Sequence, residues 1–433
     1  MLLVFSLQTS VGWAQATMAS EQKKSILIVN ATAHLGNGKV IPKSLVGIKE
    51  GKIAEVFNAN IVKLETLTYD TVIYAEGKHL YPGFIAVNTS LGLNEIEQVR
   101  ASHDYNETGT LNPNVRSVIA YNTDSKISPT VRTNGILYAQ VTPRGGAISG
   151  SSSVVELDGW NWEDAVYKED DGIHLNWPRY WVKNPNSNGR KKDSLSVDQK
   201  RSIQINALEN FFKDAKAYLN TSYNYEKNLR FEAMRGVFNG TKRIYIHANH
   251  MRELSEAIYF KRDMGITNMV IVGGYDAWRI PEFFVDHQVP VILTRSHSLP
   301  HRSDEDIDLP FKLASLLDEA GILFCMDNEG RMEAMNTRNL PFWAGTTRTY
   351  GLTGEKAVQC ITLNAAKILG IDATAGSIEK GKDATLFISS GDALDMMTNN
   401  IEIAWIRGRK IKLDNHQKAL YRKYKAKYDN SNN

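Results

Sequence analysis

The chain has 433 residues, too many for one small core and enough for two or three domains, or for one barrel with an accessory domain. Hydrophobic residues make up 42% and charged residues 23%, the balance of an ordinary globular protein. With 51 Lys and Arg against 48 Asp and Glu, the net charge is +3. That is too near neutral for a protein that binds nucleic acid through bulk charge.

The first sixteen residues carry an apolar run followed by Ala14-Gln15-Ala16, a small-x-small cleavage pattern, although no Lys or Arg precedes the run. They read as a secretory leader cut before Thr17, which predicts an exported protein, periplasmic or extracellular. No later apolar run is long enough to span a bilayer. Cys325 and Cys360 lie in apolar stretches and read as small buried hydrophobes, not as a disulfide framework.

Residues 25–80 alternate short β-branched runs with turn signals. Ile26 to Val29 is a strand, Gly36-Asn37-Gly38 a turn, and Leu45 to Ile48 a second strand. The same texture returns over 373–413, around Thr385 to Ile388 and Ile401 to Ile406. Each piece is too small to stand alone. Together they predict one composite β-sandwich domain built from both chain ends. Residues 81–372 lie between, and 414–433 form a basic tail with Lys418, Arg422, Lys423, Lys425 and Lys427, read as a solvated helix.

Within 81–372 strands alternate with helices. Strands are predicted at 80–87, 135–142, 153–157, 242–248, 268–273, 289–294 and 321–327. Helical spacing follows at 251–264, 275–287 and 309–320. This order implies parallel βαβ units. The fourth strand has no clear place. Residues 161–202 are rich in Trp, Asn, Lys and Asp without a period and read as a long insertion or lid. The alternative, an open dinucleotide-binding sheet, lacks its Gly-x-Gly-x-x-Gly turn after a strand.

Three segments carry a family resemblance: Tyr81-Pro82-Gly83-Phe84-Ile85; Leu363-Asn364-Ala365-Ala366 with Leu369-Gly370; and Gly376 through Ala384. In this order and at these distances the chain resembles the amidohydrolase superfamily, in particular its imidazolonepropionase-like and related C–N hydrolases. The resemblance implies an α/β fold, a distorted (β/α)8 TIM barrel joined to the β-sandwich. It also implies a site at the C-terminal ends of the barrel strands.

The resemblance further implies a metal centre, and here the residues depart from the pattern. Asn88 and Ser90 stand where the family has the two histidines after the first strand. Amide and hydroxyl oxygens are poor zinc donors. His247 matches the histidine after strand five, and Asp327 the aspartate after strand eight, which in the family binds metal and takes a proton from water. Gly273-Gly274-Tyr275 replaces the histidine after strand six. No lysine or glutamate after strand four is identifiable. His297 and His301, and beyond them His250, are candidates to complete a mononuclear site, though a solvated or substrate-contacting role suits them as well. The expectation is at most one divalent metal ion, zinc for preference, or none.

The Gly-rich stretch Pro143 to Ser153 reads as a loop offering N–H groups and Arg144 to an anion. Asn88, Ser90, Arg144 and Tyr275 are the expected substrate contacts. The implied activity is hydrolysis of a C–N bond other than a peptide bond, in a cyclic amide or amide-like small molecule, with Asp327 moving the proton. The competing reading is a catalytically inactive barrel that binds a ligand.

Overall fold

The computed structural model describes residues 18–62, 67–180, 195–221 and 226–431. The leader-like segment lies outside these residues. No helix among the described residues is long and apolar enough to cross a membrane.

Two eight-stranded sheets organise the chain. The first takes strands from both ends. Ile26–His34, Val40–Lys49 and Lys52–Asn58 form an antiparallel meander. Leu386–Ser389 then pairs antiparallel with His79–Pro82, so that Phe387 lies opposite Tyr81. This register ties the late strands to the early ones. One face buries Ile28, Val46, Ile48, Leu80, Leu386, Ile388 and Trp405 as a separate small core.

The second sheet is a nearly closed barrel. Its strands follow chain order: Phe84–Thr89, Ile136–Val141, Ile148–Glu156, Val166–Asn176, Arg243–Ala248, Met269–Gly273, Val291–Leu293 and Phe324–Met326. Alternate residues point in and out. Ile85, Val87, Tyr138, Val154, Tyr245, Val272 and Cys325 share the inner cluster, while Phe84, Ile136, Ile244, Ile271 and Phe324 pack outward. Helix Met251–Met264 covers the outside with Leu254, Ala257 and Ile258 and stops at Gly265, whose φ of 69° permits the left-handed turn.

The structure departs from the sequence expectation in three places. The third strand begins inside the Gly-rich stretch, at Ile148, and runs antiparallel to both neighbours. Residues 142–147 form the whole connection from strand two, and so short a link can join only antiparallel strands. At Gly145, φ is 87° and an added Cβ would meet Asn106 at 2.0 Å, so the turn requires glycine there. The fourth strand is Val166–Asn176, inside the segment expected to be an insertion, followed by helix Val197–Leu219. Residues 275–287 are not one helix: a short turn at Ala277–Arg279 precedes Pro281–Asp286, because Pro281 can begin a helix but not continue one.

Candidate active site

With strand three reversed, its N-terminal end and the C-terminal ends of the other seven strands open on the same mouth. Asn88, next to last in strand one, has a left-handed φ of 48°. That conformation is uncommon outside glycine, and asparagine tolerates it better than most residues. Its backbone N–H donates to Gln140 Oε1 at 3.0 Å, and its Nδ2 donates to Asp327 Oδ2 at 2.6 Å and to Glu329 Oε2 at 3.4 Å. Asn88 thus bridges two carboxyl groups.

Arg144 reaches the same point from the hairpin. Its Nη1 donates to Asn88 Oδ1 at 2.5 Å and its Nη2 to the Asn88 carbonyl at 2.7 Å. Nη2 also lies 2.9 Å from both oxygens of Glu333, which accepts the Ser90 N–H at 2.6 Å. The loop after strand eight, Asp327-Asn328-Glu329 through Glu333, therefore closes onto strand one through one guanidinium and one amide. Asp327 Oδ1 accepts the N–H groups of Asn328 and Glu329, which fixes the turn.

The carboxyl groups do not titrate alike. Burial, with the charges of Glu329 and Glu333, pushes Asp327 well above the usual carboxylate range. Desolvation works against charge on Glu329 too, but Arg144, His247 and the Asn88 hydrogen bond outweigh it and hold Glu329 below its ordinary value. Burial leaves Glu333 raised despite Arg144. One exposed carboxylate, Glu329, thus faces one buried carboxylic acid, Asp327.

His247 ends strand five, and its Nε2 lies 2.9 Å from Nδ1 of His174 on strand four. Burial, reinforced by Arg144 and Arg179, brings His247 down to about 4, and burial beside His247 lowers His174 further. Both rings are neutral at physiological pH. His174 stacks on Tyr245, whose hydroxyl donates to buried Asp171 at 2.6 Å. Gln140 and Ser152 donate to the same carboxylate.

The remaining sequence candidates lie elsewhere. His297 packs against Phe311 and Trp343, with Nε2 3.0 Å from the Thr346 hydroxyl. His301 stacks on Tyr275 at 3.7 Å between ring centres. The Tyr275 hydroxyl donates to Glu305 at 2.8 Å and accepts the His301 N–H. Tyr275 is thus a buttress of its own loop. His250 caps helix Met251–Met264, its Nδ1 accepting the Arg252 N–H. Each of these three histidines has a local partner, and among the described residues none joins a group of three or more His, Cys, Asp or Glu placed to hold a metal ion.

Sequence reasoning missed His174, Gln140, Asp171, Glu329 and Glu333. Two of them carried a signal: Glu329 and Glu333 follow Asp327 directly in the loop after the last strand. The other three lie on strands two and four.

The amidohydrolase family model matches residues 311–411. No curated protein sequence matches the chain. Among solved structures, an amidohydrolase from Thermotoga maritima MSB8 superposes with a TM-score of 0.76 at 23% identity, over 89% of this chain and 99% of that one. A prolidase complexed with N-methylphosphonate-L-proline gives 0.55 at 14% identity, over 90% and 99%. An adenosine deaminase from Xanthomonas campestris with bound zinc gives 0.54 at 13%, over 94% and 98%. The C-terminal family match and the shared barrel fold make the chain similar to amidohydrolases, from which it diverges at the mouth.

The divergence is chemical. The family implies a divalent metal at the mouth, and the donors here do not fit it. Among the described residues no group of three or more His, Cys, Asp or Glu side chains is placed to hold a metal ion. The single donor oxygen of Asn88 is taken by Arg144, and His247 Nε2 is taken by His174. A permanent cation already sits among the three carboxyl groups, and a second one would meet its repulsion.

Proposed function

We propose that the protein is a hydrolase of a C–N bond in a small amide, cyclic amide or dipeptide-like substrate, acting through the Asp327–Glu329 pair. The observation that carries this is the bridge at Asn88, which holds two carboxyl groups side by side while their surroundings drive their proton affinities apart. Such a split assigns base and acid. Glu329, ionised and exposed, takes a proton from a water as the water oxygen bonds to the substrate carbonyl carbon. Asp327, protonated, gives its proton to the departing nitrogen as the C–N bond breaks. The proton on Glu329 then returns to Asp327, and the pair is restored. No step passes through a metal.

The test is turnover by purified protein of a panel of cyclic amides, N-acyl amino acids and dipeptides, with and without a chelator. Turnover that survives chelation, and falls by about a hundredfold or more in both Glu329→Gln and Asp327→Asn, supports the assignment. Turnover abolished by chelation overturns it. A second reading, a barrel that binds without reacting, draws on the full satisfaction of Arg144 by Asn88 and Glu333. It is the reading left standing if nothing on the panel is cleaved. We also propose export, on the leader-like first sixteen residues, and mature protein that still begins at Met1 would refute it.

A further inference from the structure

The loop after strand seven holds polar groups that no other described residue uses. Arg295 follows Leu293 and Thr294 at the barrel mouth. Strand seven pairs with strand eight, and the Asp327 N–H donates to the Leu293 carbonyl at 2.9 Å, so this loop and the Asp327–Gly330 turn are neighbours. The Arg295 guanidinium packs against Gly330. A Cβ built there would lie 3.0 Å from its carbon and from both terminal nitrogens. Gly330, at φ 144°, is the residue after Glu329. One face of the guanidinium lies toward Trp343, 5.8 Å from the ring centre.

Among the described residues Arg295 nonetheless has no hydrogen-bond acceptor. Its Nε is buried and has no hydrogen-bond partner, and among the described residues no carboxylate pairs with it. The hydroxyls of Ser296 and Ser298, in the same loop, are also buried without partners, and Ser296 is only 2% exposed. A desolvated donor left unsatisfied is costly, and a guanidinium more so. The arginines around the proposed acid–base pair therefore differ. Arg144 is consumed by Asn88 and Glu333, whereas Arg295 keeps its donor capacity.

We propose that Arg295, with the Ser296 and Ser298 hydroxyls, forms the subsite for a substrate carboxylate, so that the substrate is an amide bearing a free acid group close to the bond that breaks. A guanidinium matches a carboxylate with two parallel N–H···O bonds. The Trp343 ring and the Gly330 backbone both lie near that fork. The inference rests on the hydrolase reading for its reaction, but the carboxylate site stands or falls separately.

The experiment uses N-acetyl-L-alanine and its neutral methylamide, which differ in terminal charge. Hydrolysis and calorimetric binding are measured for the wild type, Arg295→Gln and Arg295→Lys, with thermal unfolding as a control for folding. The wild type prefers the acid by about 10- to 100-fold in kcat/KM, the worth of a hydrogen-bonded charge. Arg295→Gln collapses that preference, through KM, and Arg295→Lys restores part of it. Equal handling of acid and methylamide by the wild type overturns the subsite while leaving the hydrolase intact. If neither compound is cleaved yet the acid binds in an Arg295-dependent way, the subsite stands and the hydrolase fails. No binding of the acid overturns the subsite.

Discussion

Replacing Arg144 by Met tests the charge balance of the mouth most directly. Methionine keeps the length of the aliphatic stem and removes the guanidinium. Arg144 and Glu333 form an ion pair at 2.9 Å whose side chains are 18% and 9% exposed, so solvent screens it little. Removing one partner of such a pair leaves a buried charge uncompensated and costs about 3–5 kcal/mol. For a chain of this length the unfolding entropy, about 2.1 cal/mol/K per residue, turns that into a fall in Tm of roughly 3–6 °C. Glu333→Gln removes the opposing charge but keeps an oxygen for the Ser90 N–H. In the double variant the loss is smaller than the sum of the two single losses, by about 1 kcal/mol or more. Denaturant unfolding of the four proteins at pH 7 measures this. An Arg144→Met cost below about 0.5 kcal/mol, or strict additivity in the cycle, would refute the claim that Arg144 is the cation the carboxyl groups require.

Three further outcomes follow from the same geometry. The pH profile of kcat/KM is bell-shaped, rising as Glu329 ionises below its ordinary value and falling as Asp327 loses its proton well above its own; a rate flat from pH 4 to 9 would sink the acid–base assignment. His247 is neutral in the fold down to about 4, whereas the unfolded imidazole takes its proton near 6.5, so its contribution is present above 6.5 and is lost as pH falls toward 4. Relative to His247→Gln, the wild type should lose about 3 kcal/mol across that window, and parallel stability curves would contradict it. Elemental analysis of protein purified with added zinc should give fewer than two equivalents per chain, and two equivalents would overturn the donor argument at Asn88 and Ser90.

The sequence made strands five and eight of the barrel legible, where a buried apolar run ends in a polar residue. Gly321 to Met326 followed by Asp327, and Ile244 to Ile246 followed by His247, read directly as strand and mouth. Strands three and four did not read this way, because their inner faces are polar. Ser152, Asp171 and His174 point into the barrel, where Ser152, Gln140 and Tyr245 donate to Asp171 and His174 Nδ1 pairs with His247, while His174 Nε2 has no partner among the described residues. Buried polar residues that are satisfied across a sheet look, in one dimension, like a loop. Asp170, at φ 46°, also breaks the alternation in mid-strand. For His297 and His301 the position at the mouth was readable. Their direction was not, because it depends on Thr346 and Tyr275, neighbours distant in sequence.

The changes at strand one and strand three form one arrangement. A parallel third strand would need a long crossover and would place its opposite end at the mouth. The hairpin over 142–147 instead delivers Arg144 to the end of strand one. A guanidinium only donates, so whatever it meets there must accept. Asn88 offers two acceptors, its side-chain oxygen and its carbonyl, and turns its amide nitrogen toward Asp327 and Glu329. A histidine at 88 could not accept from Arg144 and donate to both carboxyl groups at once, since a neutral imidazole has one donor and one acceptor on opposite sides of the ring. Asparagine where the superfamily pattern has histidine is therefore what this hairpin demands: the cation arrives covalently attached, and the residue that would have held a metal holds the arginine.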